Sequence, residues 1–153
     1  MNYFILLVIF TMITTQAAAQ EARSNKLALL IAVPWSGEMA MRNDIRAIVP
    51  VLRSRGFQEH QMMILDKGVL DRETLLEFLR QAHRRTQSWN KGAIFMYVSG
   101  HGNFAGRTLE EARPALQLLA ADHPSQEHTL YWDEIFTTLD LPKGVTLTLL
   151  PDT

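Results

Sequence analysis

The sequence predicts an α/β fold in which a mostly parallel β-sheet is covered by helices on both faces, as a three-layer α/β/α sandwich. Residues 27–33 and 93–98 are unbroken apolar runs, which are typical of strands buried on both faces of a sheet. Segments 40–55 and 71–86 carry apolar residues at helical spacing, with arginines on the other face. Strands that alternate with such helices form βαβ units, whose strands run parallel.

Three residues define the limits of the two long helices. Pro50 lies inside the first helical segment, so that helix is expected to kink or to begin nearer Pro50. Gly56 follows the segment and is a natural C-terminal stop. Asp71 precedes the second segment and can cap its first turn.

The remaining elements are shorter. We predict a surface loop over the polar residues 103–114. Outside that loop, we predict three strands and one helix, namely strands 61–65, 115–120 at a sheet edge and 145–150, and helix 132–139.

Composition excludes several classes of function. The 153 residues are 47% hydrophobic and 20% charged, which is ordinary for one globular domain. A formal net charge of -1 provides no basic field for nucleic acid, so we expect no nucleic-acid partner. The chain contains no cysteine and therefore no disulfide or thiolate metal site.

The N-terminus is typical of a secretory signal. Residues 3–13 form a short apolar segment, and the three alanines at 17–19 resemble a cleavage site. We therefore expect a signal peptide over 1–19, a short lead-in over 20–25 and the folded domain over 26–153. An uncleaved membrane anchor is the alternative. A cleaved signal predicts a secreted or periplasmic protein with no other membrane contact.

The apolar run 93–98 leads directly into Ser-Gly-His-Gly at 99–102. Chemistry in open α/β sheets is usually done at the carboxyl ends of strands, so we predict that His101 is a catalytic base. The flanking glycines allow a sharp turn and a close approach by another group. Ser99 is not expected to be a hydrolase nucleophile, because the elbow pattern needs glycine where this chain has Tyr97.

A metal site is an alternative interpretation of a polar loop near the C-terminus. Asp122, His123 and His128 could be imagined as ligands, but they lack helical ligand spacing. We expect no metal site and no cofactor.

The order of these features resembles the large-subunit domain of caspase-like cysteine peptidases, in the metacaspase and orthocaspase branch. The resemblance covers residues 26–153. It is carried by a first strand at 26–33, Asn43-Asp44, Gly56-Phe57, Ser-Gly-His-Gly at 99–102, a leucine-rich segment before Asp122, and a last strand before Asp152-Thr153.

The resemblance implies roles for five residues. His101 would activate a thiol or protonate the leaving amine, and the backbone N–H of Gly102 would stabilise the oxyanion. Asp44, Ser99 and Asp152 would line the pocket for the substrate side chain before the cleaved bond. Two carboxylates in one pocket favour Arg or Lys. Each of the three also has a plainer interpretation, as a helix cap, a turn hydroxyl and a strand-end turn residue.

One departure from the family pattern affects the function. The family places its nucleophilic cysteine directly after Asp-x, and this chain ends at that x, Thr153. We therefore expect a caspase-like sheet that is incomplete at its C-terminal side, through plain truncation or through a UGA codon. That codon would be either a nonsense change of a cysteine codon or a selenocysteine codon misread as a stop. Reading the nucleotides after the Thr153 codon distinguishes these.

The resulting expectation is a cysteine-type endopeptidase domain for peptide or protein substrates, Arg- or Lys-specific, that lacks its nucleophile in these 153 residues and is inactive as such. The alternative is a non-catalytic caspase-like pseudoprotease that binds basic peptides. The resemblance also allows calcium dependence, which the sequence itself does not indicate. Oligomeric state is not predicted.

Overall fold

The computed structural model describes residues 25–35, 38–105, 108, 111–119 and 128–153. The predicted signal peptide over 1–19 lies outside the described residues. The same is true of Asp122 and His123, two of the three residues weighed as metal ligands.

The described residues form seven strands and three α-helices. The helices are α1 (Ala40–Ser54), α2 (Arg72–Thr86) and α3 (Trp132–Leu139). The strands are β1 (Lys26–Ala32), β2 (Met62–Leu65), β3 (Gly92–Ser99), β4 (His101–Ala105), β5 (Arg113–Gln117), β6 (Thr129–Tyr131) and β7 (Val145–Asp152).

The larger sheet contains four parallel strands in the order β2-β1-β3-β7, so the predicted α/β class with a parallel sheet is confirmed. Strand β3 lies inside this sheet, as its unbroken apolar run predicts. In the register, Ser99 is opposite Ala32 of β1 and Asp152 of β7. The carboxyl ends of these three strands therefore meet at one edge of the sheet.

Strand β1 contributes to two separate hydrophobic clusters, because successive side chains of a strand point to opposite faces of the sheet. On one face, Leu27, Leu29 and Ile31 pack with buried residues of α2 and α3. On the other face, Ala28 and Leu30 pack with buried residues of α1. The helices therefore cover β1 from opposite sides.

After residue 100, the chain forms a second, smaller sheet that the sequence did not predict. Strands β4, β5 and β6 pair antiparallel in the order β4-β5-β6. The prediction of a surface loop over 103–114 is therefore wrong in part, because β4 and the start of β5 occupy it. Of the segment predicted as an edge strand over 115–120, residues 115–117 form the end of β5. That strand is the central one of the small sheet, so the predicted edge position is wrong. Strand β6 was not predicted, since three residues are too few to show a period.

The predicted helix limits can be compared with the observed ones. Gly56 follows α1 with a φ of +84°, the left-handed conformation that favours glycine at a helix end. The Asp71 carboxylate caps α2 by accepting the Thr74 backbone N–H at 2.6 Å. Helix α1 begins at Ala40, so the alternative of a later start near Pro50 is wrong.

No helix in the described ranges has both the length and the apolar character needed to cross a bilayer.

Candidate active site

The predicted catalytic segment lies where β3 and β7 end side by side. Ser99 and Asp152 are the last residues of these strands and are opposite each other in the register. The Gly100 backbone N–H donates a hydrogen bond to the Asp152 carbonyl oxygen at 3.0 Å. His101 then begins β4, so the predicted turn is a single bend at Gly100 between two sheets. The ends of β3 and β7 are therefore neighbours at this edge of the sheet.

The two glycines that flank His101 allow close approach. A Cβ atom at Gly100 would lie 2.8 Å from the Val33 Cβ, and one at Gly102 would lie 3.0 Å from the Thr153 Oγ1. Neither glycine has a positive φ. Their role is therefore to make room for neighbouring residues, and Gly102 in particular packs against Thr153.

Four polar side chains form what we call the acidic cluster: Asp44, Tyr97, Ser99 and Asp152. The Ser99 hydroxyl donates to the Asp44 carboxylate at 2.9 Å, and the Tyr97 hydroxyl donates to Asp152 Oδ2 at 3.0 Å. Tyr97 and Ser99 are buried, Asp44 is half-buried and Asp152 is exposed. The cluster therefore joins α1, β3 and β7 and is open to solvent on one side.

The pKa of Tyr97 reflects the charge in this cluster. Burial raises the pKa of the Tyr97 hydroxyl to about 12, and the hydrogen bond to Asp152 and the charges of Asp152 and Asp44 add to the effect. Both carboxylates therefore act on the same phenol.

The carboxylates of the acidic cluster lack a cationic partner within the described part of the chain. There, neither Asp44 nor Asp152 forms an ion pair with Lys, Arg or His. A pair of carboxylates without an internal cation is suited to a cationic ligand. The surface carboxylates that are paired with arginines include Glu59, Glu73, Glu77, Asp133 and Glu134.

The His101 imidazole is held by two residues of the segment after β1. Its Nε2 lies 2.9 Å from Glu38 Oε2, and its ring stacks on the Trp35 indole with centroids 3.7 Å apart and planes at 24°. The Trp35 backbone N–H donates to the same Glu38 oxygen at 2.8 Å. The hydrogen bond with His101, and to a smaller extent the one from Trp35, holds the pKa of the Glu38 carboxyl below its ordinary value of 4.5.

Three of these residues were missed from the sequence. Tyr97 could have been found, because it lies two positions before Ser99 and so faces the same side of β3. Trp35 and Glu38 had no such signal. They lie 66 and 63 residues before His101 in the chain, in a segment without periodicity, and only the fold brings them to the imidazole.

Of the three residues weighed as metal ligands, only one lies in the described part of the chain. His128 lies in the described part of the chain, directly before β6. Among the described residues, no group of three metal-ligating side chains is close enough to hold an ion.

Comparison with known proteins adds no family assignment. A scan against protein-family models found no match, and a search of the curated proteins found none either. The caspase-like resemblance therefore stays a prediction from the sequence.

Proposed function

We propose that the chain is the large-subunit part of a caspase-like cysteine endopeptidase that cleaves after Arg or Lys, built on a three-layer α/β/α sandwich. One observation carries the proposal. His101 and the acidic cluster occupy the same sheet edge, where Thr153 packs against Gly102. In the proposed enzyme, this edge brings together a base, an oxyanion donor and a pocket for a basic side chain.

The chemistry follows from the residue types. His101 would accept a proton from the nucleophile and return one to the leaving amine, since an imidazole can act as a base and, once protonated, as an acid. The backbone N–H of Gly102 would donate to the oxyanion. The nucleophile must come from outside these 153 residues, because they contain no cysteine. A thiol or selenol at position 154 would follow Thr153 and lie close to Gly102.

Substrate preference would come from the acidic cluster. Asp44 and Asp152 carry negative charge that no cation of the described residues neutralises, and a substrate guanidinium can satisfy it with two parallel hydrogen bonds. The Ser99 and Tyr97 hydroxyls would orient the two carboxylates. An acidic substrate side chain would be repelled at the same place.

The second candidate is a pseudoprotease that binds basic peptides without cleaving them. The acidic cluster that it requires is formed entirely by residues of the given sequence, whereas a cysteine nucleophile is not among them. Both candidates share the same peptide pocket. Mass spectrometry of the native protein separates them, because a product with Cys or selenocysteine after Thr153 supports the peptidase, whereas an end at Thr153 leaves only binding.

A peptide titration tests the shared pocket. Capped peptides that differ only in a C-terminal Arg, Lys or Asp amide are titrated into the 153-residue chain by NMR. We expect the Arg and Lys peptides to bind at least about ten-fold more tightly than the Asp peptide. Asp152→Asn should remove most of this preference, while Asp140→Asn, at the exposed end of α3, should retain it. Equal binding of all three peptides would refute the pocket.

Location is part of the proposal. A signal peptide over 1–19 would direct the mature protein to the cell exterior or the periplasm. N-terminal sequencing of the exported protein should begin near residue 20, and a retained N-terminus would instead support the membrane anchor.

A further inference from the structure

The segment between β1 and α1 contacts the imidazole on two sides. Glu38 meets the ring edge at Nε2, and Trp35 covers the ring face. Trp35 is itself fixed, since its backbone N–H donates to Glu38 and its indole N–H donates to the Gln117 carbonyl oxygen at 3.3 Å. One carboxylate oxygen thus links the imidazole to the residue that stacks on it.

The chemistry of this contact determines which ring nitrogen carries the proton. An ionised carboxylate only accepts hydrogen bonds, so the nitrogen that faces it must carry the hydrogen in a neutral imidazole. Glu38 faces Nε2. Nδ1 is then the nitrogen with the lone pair, and it is the one able to accept a proton from a nucleophile.

We propose that Glu38 is a positioning residue, whose carboxylate holds the His101 imidazole in the Nε2–H tautomer while Trp35 fixes the plane of the ring. This role rests on the proposed function, because it affects catalysis only if His101 exchanges protons in the proposed peptidase reaction.

His83 provides an internal control for the tautomer. Its Nδ1 lies 3.2 Å from the Leu139 carbonyl oxygen and 3.3 Å from that of Asp140. Carbonyl oxygens only accept hydrogen bonds, so Nδ1 must carry the hydrogen in His83. The two histidines are therefore expected to have opposite tautomers in the same sample.

NMR of the 15N-labelled chain tests the proposal. We expect the His101 proton on Nε2, with slow exchange against water, and the His83 proton on Nδ1. Glu38→Gln should accelerate exchange of the His101 ring N–H by about ten-fold or more, because a neutral amide is a weaker acceptor than a carboxylate. Glu59→Gln, which removes a carboxylate paired with Arg53 on the surface, should leave it unchanged.

Two results would overturn the positioning role. One is a proton on Nδ1 of His101, and the other is an exchange rate that Glu38→Gln does not alter. If Glu38→Gln fails to fold, the exchange rate of the His101 Nε2 proton in the unsubstituted chain is the test. Slow exchange then supports the positioning role, and fast exchange overturns it. The measurement needs no nucleophile and no peptide, so it can succeed while peptide binding fails, or fail while Arg peptides bind.

Discussion

The Tyr97 hydroxyl donates a hydrogen bond to the Asp152 carboxylate at 3.0 Å, across 55 residues of sequence. This bond joins the buried strand β3 to the exposed end of β7, next to the Gly100 bend that precedes His101. It orients a carboxylate at the sheet edge without neutralising its charge. The proposed preference for basic peptides depends on that property.

Removal of the Tyr97 hydroxyl should change stability at high pH. Because the folded pKa is about 12 and the ordinary value is 10.0, the unfolded chain loses its proton first as pH rises. The free energy of unfolding should therefore be intact below about pH 10 and fall between about pH 10 and 12, by at most about 3 kcal/mol. In Tyr97→Phe, the free energy of unfolding should not show this decrease.

Urea unfolding of both proteins across this pH range provides the measurement. Tyr131→Phe is the control variant, because it also removes one tyrosine hydroxyl. The same pH dependence in the wild type and Tyr97→Phe would contradict the assigned environment of Tyr97.

Alanine at the two glycines beside His101 should have unequal effects. At Gly100 the new Cβ would lie 2.8 Å from the Val33 Cβ, which is attached directly to the backbone and cannot rotate away. We expect a cost of about 1–3 kcal/mol. At Gly102 the nearest atom is the side-chain oxygen of the exposed Thr153, which can rotate, so the cost should be smaller. Denaturant unfolding measures both, and a larger cost at Gly102 would argue against this geometry.

The cap of α2 should depend on the Asp71 carboxylate. The Thr74 backbone N–H, followed by the Thr74 hydroxyl, holds the pKa of Asp71 below its ordinary value of 3.8. The stabilisation is therefore present above that value and is lost as pH falls through the folded pKa. Asp71→Ala should lower Tm at neutral pH, and its difference from the wild type should shrink in acid.

Asp71→Asn is the matched control, because asparagine is also a good N-cap and should retain most of the stability at neutral pH. A Tm difference between wild type and Asp71→Ala that does not change in acid would show that the carboxylate is not the cap.

The two-sided burial of β1 predicts a large packing effect. Leu29 is fully buried in the middle of the strand, so Leu29→Ala should cost about 2–5 kcal/mol of unfolding free energy. Val69 is 52% exposed, and Val69→Ala should change stability by about 0.5 kcal/mol or less. Similar small effects at both positions would mean that β1 is not in the core.

Residues with strong local signals were predicted well from the sequence. The apolar runs of β1 and β3 indicate burial on both faces, and Asp71 before an amphipathic segment indicates a helix start. Strand β4 was missed because it contains Gly102 and Asn103, two residue types that are uncommon in strands, and its strand conformation comes from pairing with β5. The contact of Glu38 with His101 likewise depends on the fold, since no local pattern connects the two residues.

The central claim is that this sheet edge directs a nucleophile after Thr153 towards basic substrates. Extending the chain by one cysteine at position 154 allows a direct measurement, namely its rate of alkylation by two chloromethyl ketones that carry either Arg or Asp. The account predicts that the Arg reagent reacts at least about ten-fold faster, that Asp152→Asn removes this advantage, and that His101→Gln slows the reaction. Equal rates for the two reagents, unaffected by either substitution, would contradict it.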